Sequence, residues 1–220
     1  RTDRSDKHNG ISFMLIDMDS PGVEVRPITM ISGTSPFCET FFTDVKVPKK
    51  NLVGEEGQGW TIGKRLLQHE RTNISGGGSL AGMMGQSVGA IAKKYCEADS
   101  DGALYDKVLR DKIADLEIRW NSFLHTVRRA LQESKAQGGV SEISSVLKKL
   151  GTKLSQERSE LLIEIRGLQG LGWEGEQFTD GELEDVRGWL FGKAATIYGG
   201  STEIQNNIIA KRVLGMLDHQ

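Results

Sequence analysis

Two short stretches contain residues whose types and spacing could do chemistry. Glu70 directly precedes Arg71 in LLQHERTN, and the pair Gly199-Gly200 precedes Ser201 in IYGGSTEIQNN. A desolvated carboxylate acts as a general base when it is placed on an acidic proton, and paired glycines let a backbone approach a ligand closely. Plainer interpretations stay open at this point, because most helical glutamates are solvated and glycine pairs also form simple turns.

The neighbouring residues add little further chemistry. His69 lies beside Glu70, but adjacent helical residues point apart by about 100°, so we interpret it as structural. No cluster of His, Cys and Asp suggests a metal site. Cys38 and Cys96 are too few and too far apart for a disulfide framework or a thiolate metal site, so both are predicted to be free thiols in a reducing compartment.

Composition excludes several classes of function. A formal net charge of -2 argues against a binder of nucleic acid or of anionic membranes, which requires a basic patch. No apolar run approaches the ~20 residues that span a bilayer. The polar opening RTDRSDKHNG passes at once into strand-type sequence, and we expect it to lie inside a larger protein.

The elements that must position these residues change type along the chain. Residues 11–54 favour β structure, with an apolar run near Phe13, the segment Val23-Glu24-Val25 and period-2 alternation through FFTDVKVP at Phe42, Val45 and Val47. All four prolines fall in this first quarter. Long helices are therefore unobstructed afterwards.

Apolar residues recur every three or four positions through the rest of the chain and predict helices. A first candidate helix spans 59–97 and contains Gly76-Gly77-Gly78. These glycines either allow the close approach of a neighbouring helix or ligand, or they break the helix. The other candidate helices span 103–136, 141–168, 182–190 and 201–214. Long helices with short connections indicate an antiparallel bundle. The predicted fold is mainly α, a C-terminal antiparallel four-helix bundle preceded by a partial antiparallel β-domain.

Three longer motifs carry a resemblance to a known family. PGVEVRPI, ETFFTDVKVPKKNLVGEEGQGW and the ending IYGGSTEIQNNIIAKRVLG resemble, in order and spacing, the C-terminal part of the acyl-CoA dehydrogenases. The resemblance implies a partial middle β-domain at 1–54 and a helical bundle domain at 55–220. It also implies FAD chemistry, in which a carboxylate removes the α-proton of an acyl-CoA thioester and a hydride passes to flavin N5.

The resemblance assigns the substrate side of the site. Many family members carry the catalytic glutamate where this chain has Gly199, and a minority lineage places it on an earlier helix directly before an arginine. By this resemblance Glu70 is the α-proton base, Arg71 lies near the CoA moiety, and the Gly199 N–H faces the thioester carbonyl beside Gly200. By the same resemblance, Tyr198 would line the acyl pocket. Surface pairing of Arg71 and core packing of Tyr198 are the alternatives.

The resemblance also implies a cofactor side, with one departure. The residues matched to FAD binding are Arg166, Gly167, Leu168, Gln169, Gly170, Ser201, Thr202 and Glu203. A ligand-free glycine-rich loop is the alternative for the first five. The family's Arg-x-x-Phe-Gly sequence is replaced by an acidic segment at 95–102, which puts the FAD contact between subunits in doubt unless Arg166 supplies the charge.

The function expected from the resemblance is that of an acyl-CoA dehydrogenase, with electron-transfer flavoprotein as the electron acceptor and a homodimer or tetramer as the assembly. The alternatives are a non-catalytic assembly subunit of a heteromeric dehydrogenase, or an acyl-CoA oxidase. Residues 1–220 alone are expected to show no turnover and little FAD. The expected location is cytoplasmic in a bacterium or the mitochondrial matrix in a eukaryote.

Overall fold

The structure, a computed structural model, describes the backbone of residues 1–76, 87–137 and 143–217, without the side chains of residues 68–76, 134 and 137. It divides into two compact units, residues 1–71 and residues 72–220. Strands lie in the first unit, and the helical bundle lies in the second.

Two small antiparallel sheets make up the strand part of the first unit. β1 pairs with β4 and β2 pairs with β3, and these strands are Phe13–Met14 (β1), Val23–Ile28 (β2), Phe37–Phe42 (β3) and Leu52–Val53 (β4). A two-stranded hairpin cannot bury its own apolar side chains. Those of β2 and β3 that stay exposed are Val25, Ile28, Phe37, Phe41 and Phe42. The predicted partial antiparallel β-domain is confirmed.

The strand predicted through FFTDVKVP ends earlier than the alternation suggested. β3 stops at Phe42, and Val45 and Val47 lie outside any strand. Asp44 has a φ of 50°, in the left-handed region that aspartate tolerates better than most residues and that interrupts an extended backbone. The strand prediction is therefore wrong over residues 43–48.

The helices lie close to their predicted positions. They are Gly59–Gly76 (α1), Val88–Tyr95 (α2), Lys107–Gln137 (α3), Ser144–Arg166 (α4), Asp180–Gly192 (α5) and Thr202–Ile208 (α6). A π-helical turn at Ile209–Val213 continues α6. The candidate over 59–97 corresponds to α1 and α2. Gly76 is the last residue of α1, whereas Gly77 and Gly78 lie outside the described residues.

Helices α3 and α4 form the antiparallel centre of the bundle. Lys112 pairs with Glu164 and Arg119 pairs with Glu157, so the start of one helix lies beside the end of the other. Helix α4 also packs against α2, α5 and α6. The buried core includes Val88, Ile91, Ala92, Leu109, Ile113, Leu116, Phe123, Val127, Leu147, Leu154, Leu161, Leu162 and Ile165. The predicted mainly α fold is confirmed.

Replacing Gly151 by alanine is expected to destabilise the bundle, although alanine favours helices. A Cβ at Gly151, in the middle of α4, would lie 2.8 Å from Phe123 Cζ. Overpacking of this kind costs about 1–3 kcal/mol. The matched control is Gly188→Ala on an exposed face of α5, where a Cβ meets nothing within 4 Å; it should raise the free energy of unfolding by about 1 kcal/mol. Urea unfolding followed by circular dichroism measures the free energy of unfolding of both variants. Equal stabilisation by the two substitutions would contradict close packing of Gly151 against Phe123.

Candidate functional site

The loop before α6 has glycine at two consecutive positions with a left-handed backbone. Gly199 has a φ of 65° and Gly200 a φ of 99°, both in the region that residues with a side chain rarely adopt. A Cβ on Gly200 would lie 2.5 Å from Gln205 Nε2. Glycine at 200 therefore allows both the backbone turn and the close approach of the Gln205 amide.

Two buried side chains hold the carbonyl groups of this loop. Lys148 Nζ on α4 donates to the Gly200 carbonyl at 2.6 Å, and Gln205 Nε2 on α6 donates to the Gly199 carbonyl at 3.1 Å. Lys148 is 8% exposed and Gln205 is 6% exposed. Because a carbonyl and the following N–H point in opposite directions across a trans peptide, the N–H groups of Gly200 and Ser201 point away from these anchors.

Ser201 ends the loop by capping α6. Its hydroxyl accepts a hydrogen bond from the Ile204 N–H at 3.5 Å. The pKa of Glu203 in the first turn is lowered by a backbone N–H and then by the Ser201 hydroxyl, so the carboxylate stays ionised at neutral pH. Thr202 is half-buried, and Tyr198 is 41% exposed next to the loop.

The glycine-rich turn after α4 presents both apolar and polar groups. It spans Gly167–Leu171 as a 3-10 turn. Gly170 is buried, and a Cβ there would lie 2.8 Å from the Ile163 carbonyl oxygen. Leu168 is 82% exposed. Within the described part of the chain, Gln169 Oε1 is buried and has no hydrogen-bond partner, so the turn carries an unsatisfied acceptor.

Arg166, the last residue of α4, is buried among polar groups of α2 and α5. Its Nε donates to Asp185 at 2.7 Å, and its terminal nitrogens donate to Tyr95 Oη and to the Gly181 carbonyl. Glu182 Oε1 accepts from Tyr95 Oη at 3.0 Å and lies 3.9 Å from the Arg166 guanidinium. The positive charge of Arg166 is thus balanced inside the chain.

Glu182 is fixed by the start of α5 as well. Thr179 and Glu182 form a capping box in which the Glu182 carboxylate accepts from the Thr179 N–H at 2.6 Å. This backbone hydrogen bond is the largest cause of the lowered pKa of Glu182, and burial raises the pKa of Tyr95. The ionised carboxylate and the neutral phenol are the forms that the hydrogen bonds need.

The sequence alone does not single out several of the residues in these contacts. Tyr95, Glu182 and Asp185 were not among the candidate residues, although the pattern Thr-x-x-Glu at 179–182 is a recognisable capping signal. Lys148 was also missed. Its position three residues before Gly151 places both residues on one face of α4, and the burial of that face is seen only in the folded chain.

Glu70 and Arg71 occupy the later turns of α1, and their side chains lie outside the described residues. Glu70 belongs to the first unit and Gly199 to the second. Their joint action therefore stays a prediction. Among the described residues no group of three or more His, Cys, Asp or Glu could hold a metal ion, and no described helix is long and apolar enough to cross a membrane.

Comparison with known proteins identifies the family. The family described as "Acyl-CoA dehydrogenase, C-terminal domain" matches residues 57–214. The chain belongs to the acyl-CoA dehydrogenase family. The acyl-CoA dehydrogenase IpdE1 of Mycolicibacterium smegmatis is 34% identical over 98% of this chain and 52% of its own length. The mouse mitochondrial short-chain specific acyl-CoA dehydrogenase is 30% identical over 97% and 50%.

Solved acyl-CoA dehydrogenase structures share the fold of this chain. The Tcur3481-Tcur3483 steroid ACAD superimposes with a TM-score of 0.82 at 23% identity, over all of this chain and 56% of that one. The ChsE4-ChsE5 complex from Mycobacterium tuberculosis gives a TM-score of 0.77 at 24% identity, over 96% and 55%. The chain spans about half the length of the curated relatives it matches.

Proposed function

We propose that this chain is the C-terminal part of a flavin-dependent acyl-CoA dehydrogenase whose α-proton base is Glu70. The observation that carries the proposal is the family match over residues 57–214. Within it, Gly199 offers no carboxylate, whereas Glu70 stands directly before Arg71 on α1. A relocated base explains both residues together, because the reaction still needs a carboxylate at the α-carbon.

The roles of the substrate residues follow from the reaction. The α-proton of a thioester is weakly acidic, so Glu70 must be positioned on it and shielded from water. The negative charge that develops on the thioester oxygen needs donors fixed in advance, and the backbone N–H groups of the Gly199-Gly200 loop would supply them. We assign Arg71 to the CoA moiety and Tyr198, with its half-exposed ring, to the acyl pocket.

The residues matched to FAD have the chemistry to hold it. The buried Gln169 Oε1 lacks a partner within the described residues, and it can accept from an adenine amino group or a ribose hydroxyl. The ionised Glu203 carboxylate, beside Ser201 and Thr202, suits hydroxyl donors better than a phosphate, which it would repel. FAD would accept the hydride at N5 when bound. We assign Arg166 to holding the Gly167–Gly170 turn from inside, since its guanidinium already binds Asp185 and Tyr95.

A second candidate function is a non-catalytic subunit of a heteromeric dehydrogenase. It is favoured by the fold shared with the ChsE4-ChsE5 complex and by the acidic segment 95–102, which stands where the family carries Arg-x-x-Phe-Gly. In that segment the Asp99 carboxylate accepts from the N–H groups of Asp101 and Ala103, so the turn stabilises itself without an arginine.

The test is flavin content and product formation in the full-length protein. Bound FAD is measured by absorbance, and the protein is then incubated with short-chain, branched and sterol-derived acyl-CoA thioesters together with electron-transfer flavoprotein. Formation of a 2-enoyl-CoA is the expected result. Product formed only with oxygen, with release of hydrogen peroxide, would show an oxidase. A protein purified without flavin would support the assembly subunit.

A further inference from the structure

The ammonium group of Lys148 is buried, and it donates its hydrogen bond to a backbone carbonyl. Its Nζ donates to the Gly200 carbonyl oxygen at 2.6 Å. Among the described residues it forms no ion pair with a carboxylate, and burial lowers its pKa. Burying a charge without a counter-charge is unfavourable. The burial of Lys148 therefore points to a role in the Gly199-Gly200 loop that it contacts, since it does not help to stabilise the fold.

The role of Lys148 is indicated by the peptide that its ammonium group contacts. The Gly200 carbonyl belongs to the same peptide plane as the Ser201 N–H, and Gln205 holds the preceding plane through the Gly199 carbonyl. A peptide held by its oxygen has its N–H direction fixed. An ammonium on the carbonyl also polarises the peptide and strengthens its N–H as a donor.

We propose that Lys148 is a positioning residue that fixes and polarises the Gly200–Ser201 peptide, so that the Ser201 N–H is set in direction before a ligand oxygen arrives. The ligand class is a polarised or anionic oxygen, as on a thioester carbonyl or a cofactor. The catalytic consequence rests on the proposed function, whereas the orientation of the loop does not.

Lys148→Met separates this role from a purely structural one. Methionine keeps a similar length and removes the buried charge. Removing a buried charge that has no counter-charge relieves its desolvation penalty, which offsets the loss of the hydrogen bond to the Gly200 carbonyl. A positioning role therefore predicts a local change in the loop while the free energy of unfolding of the bundle stays at or above the wild-type value.

The first experiment is amide hydrogen exchange of the 220-residue chain, followed by mass spectrometry or NMR. In Lys148→Met, the amides of Ile204 and Gln205, which bond to Ser201, should exchange about tenfold faster or more. The amides of α3 should be unchanged. The control is Lys149→Met, because the Lys149 ammonium forms no hydrogen bond or ion pair with another described residue. Unchanged exchange in the loop, or equally faster exchange across the whole bundle, would overturn the proposal.

The second experiment uses the full-length flavoprotein. Lys148→Met should retain FAD and bind acyl-CoA with nearly unchanged affinity, but reduce the flavin about tenfold more slowly or worse. A wild type that never reduces its flavin would refute the proposed function and leave the exchange result to decide the role of Lys148. Flavin reduction at the wild-type rate in Lys148→Met would overturn the catalytic part of the inference.

Discussion

Replacing Arg166 by methionine is expected to lower the free energy of unfolding of this chain by about 3–5 kcal/mol, the usual cost of removing one partner of a buried ion pair. The Arg166 side chain is 8% exposed, and its partners Glu182 and Asp185 are 6% and 24% exposed. Without the guanidinium, the two carboxylates and the Tyr95 hydroxyl stay buried with a missing donor. Urea unfolding at neutral pH measures the loss.

The matched control for Arg166 is Arg119→Met. Arg119 also pairs with two carboxylates, on Asp115 and Glu157, but its side chain is 42% exposed, so its loss should cost less than about 1 kcal/mol. Equal losses in the free energy of unfolding of the two variants would show that the burial of Arg166 and its partner carboxylates adds nothing to the stability of the fold.

The stability provided by Glu182 should depend on pH in a defined direction. The Thr179 N–H and then the other partners hold the pKa of Glu182 below its ordinary value of 4.5. A carboxylate with a lowered pKa stabilises the fold above its unfolded pKa and loses that contribution as the pH falls through the folded pKa. The difference in the free energy of unfolding between wild type and Glu182→Gln should therefore shrink as the pH falls below about 4.5, because the Glu182 carboxylate of the wild type becomes neutral.

The sequence was sufficient for the elements that follow a regular period. The apolar spacing located α3 and α4 within a few residues, and the alternation located the strands of the first quarter. It failed after Phe42, because a single left-handed residue, Asp44, ends the strand. A left-handed residue of this kind ends a strand even though the apolar alternation continues in the sequence beyond it.

The interior polar contacts could not be predicted from spacing. Tyr95 and Glu182 are 87 residues apart, and Lys148 and Gly200 are 52 apart. Each contact depends on how α4 packs against its neighbours, which no local pattern encodes. A lysine or arginine in a helix is usually solvated, so burial of Lys148 and Arg166 became visible only in three dimensions.

Replacing Glu70 by glutamine should slow flavin reduction by acyl-CoA by about 10²–10⁴-fold, the range that a positioned general base contributes. Glutamine has nearly the same shape as glutamate, but its amide cannot accept the α-proton. Gly199 has no carboxylate to take over the role. Binding of FAD should be retained, because the residues assigned to the cofactor lie in other segments, at 167–170 and 201–203.

The measurement that tests the central claim most directly is anaerobic stopped-flow reduction of the full-length flavoprotein. Wild type, Glu70→Gln and Glu133→Gln are compared at equal flavin content, and Glu133 serves as the control because its side chain on α3 is 46% exposed. The substrate is the acyl-CoA that gives product with the wild type. We expect the flavin absorbance to bleach in wild type and in Glu133→Gln, and to persist in Glu70→Gln with FAD still bound. Bleaching of Glu70→Gln at the wild-type rate would contradict the assignment of Glu70 as the base.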